Sequence, residues 1–305
     1  CVASCRLAAV SVAASGVLAG SPMQTPITLS VRSFTEFDEA LNEELMSRFS
    51  QLHPRVQPVS LSIPYNPDEV FDTVRTASQA SDTSLSVAPL CLYWMRDLLE
   101  TGRFMCLDSI ASPAELSMHM PQLLELGQVD GTLYAMPAMA LCGVLLYRKD
   151  LLEEHGFTQP PHTWEELIHQ VQAVLSNENN PNLIGLQFPG YRYEGLATSF
   201  LQNLWSNGGD VLVDGEVALA SEQARQAAQH MRDLIATHQI APANVTTAAH
   251  GMEPQADFLA GRTLFLIMLP TVAQACQRES SHLRGKVGIA PHPIGPLGTD
   301  SVTFL

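Results

Sequence analysis

Basic side chains are scarce in this sequence. Its 305 residues contain 16 Lys and Arg against 31 Asp and Glu, which gives a formal net charge of −15 at pH 7. A chain this acidic repels phosphate backbones, and no cluster of Lys or Arg reverses that repulsion locally. We therefore expect no nucleic acid among the partners of the protein, and an anionic ligand would need a basic pocket that the sequence does not show.

The signatures of common catalytic and metal sites are also missing. The sequence has no G-x-S-x-G, no P-loop, no dinucleotide fingerprint and no H-E-x-x-H. Six cysteines are present but no two form a C-x-x-C pair, so a zinc ribbon or a thioredoxin-type site is not supported. We predict neither metal nor cofactor. The cysteines are interpreted as small buried apolar side chains, with disulfide pairing in an exported protein as the alternative.

An apolar segment near the N-terminus is too short for a confident membrane span. Residues 7–20, LAAVSVAASGVLAG, follow Arg6 and are rich in small side chains. This is typical of a secretory signal with a cleavage site around residues 19–20. We predict that residues 1–26 form a signal-like segment that packs into neither lobe; a buried helix is the alternative. The stretch Val2-Ala3-Ser4-Cys5 resembles a lipoprotein box but precedes the apolar run, which makes a lipid anchor the minor option.

Strand-like and helix-like patterns alternate from residue 27 onward. Residues 27–31 alternate apolar and polar side chains as in a strand, and residues 37–52 carry apolar side chains at helical spacing. Residues 59–63 alternate again, Pro67 opens a second helix, and residues 85–90 form a third apolar run. This order predicts a parallel sheet with right-handed helical crossovers.

A second α/β pattern begins near Pro137. Residues 144–147 form a strand-like run, and the T-W-E-E sequence at residues 163–166 is a capping box that opens a long helix. Another long helix is expected from Ser221, and residues 258–269 return to a strand-like run. Since the chain is long for one compact core, these patterns predict two lobes.

Residues 128–167 resemble the extracellular sugar-binding proteins of ABC transporters. They read QVDGTLYAMPAMALCGVLLYRKDLLEEHGFTQPPHTWEEL, which follows that family's G-x-x-YA-x-P, L-x-YR-x-DLL, G-F, P-P and T-W-E-E-L pattern in order. Further matches are F-L-A-G-R at residues 258–262 and V-G-I-A-P at residues 287–291. Y-E-G-L at residues 193–196 and W-S-N-G-G at residues 205–209 resemble the branch that binds trehalose, maltose and similar glycosides.

The resemblance implies an α/β protein with the two-lobed type II periplasmic-binding fold and a ligand cleft between the lobes. We predict a first lobe over residues 27–136, a second over residues 137–262 and a return to the first over residues 263–305. The family continues beyond the last residue here, so a C-terminally truncated chain is expected. The resemblance further implies a monomer outside the cytoplasm that delivers a sugar to the permease subunits of an ABC importer.

A sugar site needs aromatic planes for C–H faces and acceptors for hydroxyl groups. The ends of strands in an open α/β sheet are where such contacts arise. On positions matched by the resemblance, we predict that Trp94 and Tyr193 face each other across the cleft, with Glu36 and Glu194 as acceptors. The candidate ligand-binding residues are Glu36, Phe37, Trp94, Tyr193, Glu194 and, more weakly, Trp205.

Three departures from the disaccharide-binding branch bear on the ligand. Cys91 stands where the branch usually has Asp, and the Leu141-Cys142 region lacks a second Asp. Residues 268–271, Met-Leu-Pro-Thr, replace an N-W-P-Y aromatic pair. These changes predict a less polar or differently shaped ligand, or weak or lost binding.

Two other functions compete with transport. A sensor module that reports ligand occupancy to a membrane receptor would use the same fold and cleft. A glycosidase would need two carboxylates across a cleft, and Glu36 and Glu194 are the pair that would serve. Because no catalytic signature accompanies them, the sequence favours a binding protein over an enzyme.

Overall fold

The chain divides into two compact units, one ending at Ala140 and the other beginning at Leu141. The computed structural model describes residues 6–12, 27–32, 39–54, 56–61, 67–80, 87–178, 180–247 and 252–301. The mixture of helices and strands in both units confirms the predicted α/β class. Within these ranges no helix combines the length and the apolar character needed to cross a membrane.

The N-terminal unit contains seven described strands and five described helices. In chain order its elements are β1 (Arg6–Val12), β2 (Ile27–Arg32), α1 (Glu39–Leu52), β3 (Val56–Leu61), α2 (Pro67–Gln79), β4 (Val87–Cys91), α3 (Met95–Leu99), α4 (Pro113–Leu116), α5 (Pro121–Leu126), β5 (Gln128–Val129), β6 (Thr132–Leu133) and β7 (Met136–Leu141). A single 3₁₀ turn, Leu92–Trp94, joins β4 to α3. Strands β2 and β3 pair in parallel, as the strand–helix–strand pattern predicted.

Strand β1 overturns part of the prediction for the N-terminal segment. It lies between β4 and β7 in a three-stranded sheet and pairs antiparallel with β4, from Ala8 opposite Cys91 to Val12 opposite Val87. Residues 7–12 therefore pack into the unit, contrary to expectation. An Ala/Val run satisfies its backbone hydrogen bonds equally well as a strand, and Val favours that conformation. Residues 13–20 lie outside the described ranges, and cleavage of a signal stays a prediction.

The core of the N-terminal unit forms where α2 meets the β4–α3 segment. Val70 and Val74 are one helical turn apart and almost fully buried. They cluster with Leu90 of β4 and with Trp94 and Leu98, which follow it. The spacing of the valines is therefore what turns one face of α2 toward the sheet.

The C-terminal unit is built around a four-stranded mixed sheet in the order β13-β8-β12-β9. Its elements are β8 (Val144–Arg148), α6 (Lys149–Glu154), α7 (Trp164–Asn177), β9 (Ile184–Gln187), α8 (Glu194–Ser206), β10 (Leu212–Val213), β11 (Glu216–Val217), α9 (Glu222–Ala236), α10 (Met252–Leu259), β12 (Thr263–Met268), α11 (Thr271–Cys276) and β13 (Val287–Ala290). Strand β12 runs parallel to β9, and β8 is antiparallel to both β12 and β13.

The predicted return of residues 263–305 to the first lobe is wrong for the part of this segment that the structure describes. Strand β12 pairs with β8, from Phe265 opposite Tyr147 to Met268 opposite Val144, so it lies inside the C-terminal sheet. Strand β13 pairs with the other edge of β8. The physical reason is burial: the T-L-F-L-I-M run is apolar on both faces and takes a central place, covered on both sides.

Two hairpins use the same turn sequence. The β5–β6 turn is Asp130-Gly131 and the β10–β11 turn is Asp214-Gly215. All four residues have positive φ between 51° and 84°. A two-residue turn needs that conformation to match the twist of its strands, and Asp-Gly adopts it at low cost.

The cysteines only partly follow the sequence interpretation. Cys276 on α11 is fully buried, and burial raises the pKa of its thiol. Cys106 and Cys142 are free thiols that remain half-buried. Cys1 and Cys5 lie outside the described ranges.

Candidate functional site

Trp94 is a core residue of the N-terminal unit. Only 7% of it is exposed, and its ring centroid lies 5.6 Å from that of Phe71 on α2. Trp94 is the last residue of the 3₁₀ turn that follows β4, and the sequence predicted it at this strand end. Because its ring is buried against Phe71, a structural role is favoured over direct ligand contact.

Tyr93, which sequence reasoning missed, is the exposed aromatic at that strand end. Its residue surface is 57% exposed, and its ring meets the edge of Trp94 at a centroid distance of 5.6 Å. The turn places one of the two adjacent rings in the core and the other toward solvent. The signal available in the sequence was the Y-W pair itself, because two consecutive rings on a tight turn cannot both be buried.

A second aromatic pair lies at the start of α8. Tyr193 is the N-cap residue of this helix and Glu194 is its first residue. The ring of Tyr191 lies 6.2 Å from that of Tyr193, tilted by 39°. Both tyrosines and Glu194 are half-buried. Two aromatic planes thus lie together, and the residue that follows them in the chain carries a carboxylate; these are the kinds of group that a sugar would require.

The position of the Tyr193 ring depends on a glycine. A Cβ added to Gly195 would lie 2.3 Å from Tyr193 Cζ and Oη, so the ring lies directly against the glycine backbone. The Y-E-G-L motif thus has a steric basis, because only glycine leaves room for the ring over the first turn of α8. Tyr191 was not predicted; its signal was the Y-x-Y spacing, which puts alternate side chains on one side of an extended segment.

Trp205 lies near the other end of α8 and has a structural partner. Its indole Nε1 donates a hydrogen bond to Asp210 Oδ1 at 3.2 Å, and the same oxygen accepts the amide of Val211. The side chain thus fastens the end of α8 to the loop that follows. This arrangement favours a structural role for Trp205 over ligand contact, the role that the sequence assigned to it only weakly.

The structure does not test the places of the other predicted site residues relative to this group. Glu36 and Phe37 lie outside the described ranges, so their roles stay predictions. Trp94 belongs to the N-terminal unit, and the proposal that it faces Tyr193 also stays a prediction. Residues 268–271 stand where the disaccharide-binding branch has N-W-P-Y. Pro270 is the N-cap residue of the short helix α11, and Thr271 is the first residue of that helix.

The motif that carried the resemblance proves to be a structural clamp. Arg148 donates two hydrogen bonds to the carboxylate of Asp150, at 2.8 and 2.7 Å, and a third to the carbonyl of Gly261 at 3.1 Å. Burial alone would raise the pKa of Asp150, but the Arg148 hydrogen bonds and charge outweigh it and hold that pKa below its ordinary value. The Y-R-x-D and F-L-A-G-R motifs therefore meet at one partly buried ion pair that joins β8 to the turn before β12.

The described side chains supply no metal site. No group of three or more His, Cys, Asp or Glu residues in the described ranges could hold an ion. The candidate site at α8 is instead composed of aromatic rings, a carboxylate and backbone groups, which suits hydrogen bonding to a neutral polar ligand.

Sequence comparison supplies a family. The model of the bacterial extracellular solute-binding protein family matches residues 32–304. A Deinococcus radiodurans protein described as a "Probable ABC transporter-binding protein" is 38% identical over 196 residues, which are 63% of this chain and 46% of that protein. The chain therefore spans about half the length of that relative.

Structural comparison agrees with the sequence match. Maltose-bound MalE3 of T. maritima superposes with a TM-score of 0.81 at 32% identity, over 90% of this chain and 68% of that one. UgpB of Mycobacterium tuberculosis in complex with glycerophosphocholine has a TM-score of 0.73 at 17% identity, over 92% of this chain and 70% of that one. The second likeness concerns the fold alone, and it shows that this fold is found with different ligands.

Proposed function

We propose, from the premise that the chain belongs to the bacterial extracellular solute-binding protein family, that it captures a solute outside the cytoplasm for an ABC importer. The protein would release the solute to the permease subunits of that importer. Closure of two lobes around the ligand would provide the form that a permease recognises. The cleft between the lobes is part of this proposal and rests on the family resemblance.

The proposed ligand is a sugar. The observation that carries this step is the Tyr191–Tyr193 ring pair beside Glu194 at the start of α8. Aromatic planes cover the apolar faces of a pyranose, and a carboxylate accepts its hydroxyl protons at about 1.5–3 kcal/mol for each hydrogen bond to a charged acceptor. The 32% identity to a maltose-bound protein supports the same class.

Within sugars, we infer a disaccharide or related glycoside of the trehalose and maltose type. The support is the Y-E-G-L sequence at residues 193–196, which the structure explains through the contact of Gly195 with the Tyr193 ring. The substitutions at Cys91 and at residues 268–271 remove an acceptor and two rings expected in that branch. A ligand with fewer hydroxyl groups in the part of the site where these residues were expected would fit this loss.

We propose binding without catalysis. Glu194 is the first residue of α8, and the second carboxylate that a glycosidase would need was assigned to Glu36 on sequence grounds alone. A chromogenic glycoside assay tests this point: no turnover is expected, and turnover that disappears in Glu194→Gln would establish an enzyme.

The sensor alternative shares the same ligand site, and reconstitution with permease and ATPase subunits separates it from transport.

The test of the proposed function is a thermal-shift screen of the full-length mature protein against sugars and polyols. A ligand that binds only the native state raises the melting temperature, with about 2.7 kcal/mol of stabilisation at a concentration of 100 Kd. We expect a shift with maltose- or trehalose-type disaccharides. No shift with any sugar, together with a shift from glycerophosphocholine or another non-sugar, would overturn the sugar assignment.

A further inference from the structure

Trp164, the first residue of α7, contacts the rings of two histidines, the half-buried His230 and the buried His292. The ring centroid of His230 on α9 lies 4.6 Å from that of Trp164, and the ring of His292 lies 5.3 Å away on another side. Both contacts are edge-on, with interplanar angles of 61° and 78°. Trp164 is 4% exposed and His292 is 1% exposed. The three rings therefore form a stack that joins α7, α9 and the segment after β13.

Neither Nε2 atom has an acceptor for a proton. Nδ1 of His292 lies 3.0 Å from the carbonyl oxygen of Pro293, which makes Nδ1 the donor and leaves a lone pair on Nε2. Nε2 of His292 and Nε2 of His230 are both buried without a hydrogen-bond partner. The gap beside His292, lined by Trp164, Asn203 and Met231, has no room for a water molecule. A proton on either Nε2 would thus be buried without an acceptor.

The charged groups around the two rings do not compensate such a proton. On α9, His238 disfavours the charged form of His230, and Asp233, which favours it, accepts hydrogen bonds from Gln229 and Thr237. On α7, Glu165 and Glu166 are exposed. The Glu166 carboxylate accepts backbone amides at the start of that helix.

Where α8 lines the gap beside the stack, it brings no charge either. The α8 side chains that line the gap are the neutral Ser199, Gln202 and Asn203. His292 itself is opposed by His230, and the hydrogen bond to the Pro293 carbonyl favours its charged form only in part. Each ring is therefore held in its neutral form by its surroundings.

His292 anchors a strap, here defined as residues 291–298. The backbone of Ile294 in the strap exchanges hydrogen bonds with His162 and Trp164, at 2.9 and 3.3 Å. Further along, the amide of Gly295 bonds to the carbonyl of Ser206 at 2.9 Å. The amide of Leu297 bonds to Asn207 Oδ1 at 3.0 Å. The strap therefore ties the start of α7 to the end of α8, the helix whose other end carries Tyr193.

We propose that the His230–Trp164–His292 stack is an acid-sensitive latch, and that protonation of either imidazole releases the strap from α7 and α8 before the unit unfolds. The inference is independent of which solute the protein binds. A protein outside the cytoplasm meets the pH of the medium, so such a latch would act under conditions that the chain encounters.

The direction of the effect follows from burial. Desolvation lowers the pKa of both His230 and His292 to about 4, against 6.5 for an unperturbed histidine. Because the folded-state pKa is depressed, the open state binds more protons between these values. The contribution of the latch to holding the strap is therefore fully present above about pH 6.5 and decreases as the pH falls toward 4.

Hydrogen exchange of the full chain, measured by mass spectrometry at pH 7 and pH 4.5 and corrected for intrinsic rates, tests the latch. We expect protection of residues 291–298 to fall by about tenfold or more, the size that a depressed histidine pKa permits. Protection of β8 should stay unchanged, because the sheet does not open. Equal strap protection at both pH values, or simultaneous loss in the strap and in β8, would overturn the proposal.

Variants and a second measurement complete the test. His230→Gln with His292→Asn removes both titrating rings while Asn keeps a donor near the position of Nδ1, so strap protection should no longer depend on pH. His169→Gln on the exposed face of α7 is the matched control and should behave as the wild type. If the double variant does not fold, exchange of the histidine C2 hydrogens in the wild-type protein decides: midpoints below pH 5 for His230 and His292 support the latch, and midpoints near 6.5 contradict it.

Discussion

Trp94 and Phe71 pack with their ring centroids 5.6 Å apart and their planes tilted by 48°, inside the core of the N-terminal unit. One ring comes from the turn after β4 and the other from α2. The contact joins the sheet to the helix that covers it, together with Val70, Val74 and Leu98. The residue that the sequence assigned to the ligand thus holds its own unit together.

Replacing Trp94 by Ala should therefore reduce the free energy of unfolding by about 3–5 kcal/mol, as for a core aromatic. Replacing its neighbour Tyr93 by Ala is the matched comparison: that ring is mainly exposed, so its loss should cost clearly less, and this cost includes the edge-on contact with Trp94. Denaturant unfolding of both variants measures the difference. Equal, small losses would show that Trp94 is available to a ligand, as the sequence predicted.

Replacing Gly195 by Ala should weaken ligand binding without removing any ligand-contacting side chain. The added methyl group would displace the Tyr193 ring, and the expected loss is about 1–3 kcal/mol, or roughly 5- to 150-fold in Kd. Stability should fall little, because Ala favours the helix by about 0.5–1 kcal/mol relative to Gly. Calorimetric titration beside thermal melts separates the two effects. Unchanged affinity in a folded Gly195→Ala protein would exclude Tyr193 from the site.

Removing Asp150 should destabilise the C-terminal unit. Asp150→Ala leaves the Arg148 guanidinium buried without its bidentate partner, which costs about 3–5 kcal/mol in a fully buried pair and less here, since Asp150 is partly exposed. The lowered pKa of Asp150 means that its contribution is present above about pH 4 and is lost as the pH falls through the folded-state pKa. Urea unfolding at pH 7 and pH 3 measures this. The exposed Glu222–Arg225 pair is the control, and Glu222→Ala should change stability little.

Removing the N-cap of α7 should have a smaller and more local effect on the free energy of unfolding. The Thr163 hydroxyl accepts the Glu166 amide while the Glu166 carboxylate accepts the Thr163 amide. Thr163→Ala should reduce the free energy of unfolding by about 1 kcal/mol. Ser112→Ala breaks the same arrangement on α4, a four-residue helix without buried side chains, and should cost less. An equal loss in both variants would mean that the cap stabilises only its own turn, without help from the packing of α7.

The parts of the fold that depend on local chemistry were predictable from the sequence. The capping box at Thr163 and Glu166 and the N-cap of α9 at Ser221 are each encoded within a few neighbouring residues. The parallel pair β2–β3 follows from the strand–helix–strand order. Spacing and capping chemistry act over one or two turns, so the sequence displays them directly.

The misjudged parts depend on long-range pairing. The apolar run of β12 is compatible with either lobe, and only its pairing with β8 decides between them. The Ala/Val segment of β1 is likewise equally suited to an export signal or to a strand beside β4. Periodicity records how a segment is buried but not which partner buries it.

The candidate site was predictable only in part, because side-chain direction was not. Tyr193 and Glu194 were predicted from a motif and stay predictions as ligand contacts, whereas Tyr191, whose ring lies beside that of Tyr193, was not predicted. At β4 the sequence chose Trp94, and the turn instead exposes Tyr93. A rotation of about 120° per residue in a 3₁₀ turn separates the core-facing side chain from the solvent-facing one, and the end of a strand does not fix that phase.

Calorimetric titration of the full-length mature protein with maltose and with trehalose tests the central claim most directly. The claim predicts saturable one-to-one binding of at least one disaccharide, weakened about 5- to 150-fold in Tyr191→Ala and in Tyr193→Ala. Trp205→Phe should bind as the wild type, because the Trp205 indole is engaged with Asp210. Binding that is unaffected by both tyrosine variants, or no binding of any sugar by a folded full-length protein, would contradict the claim.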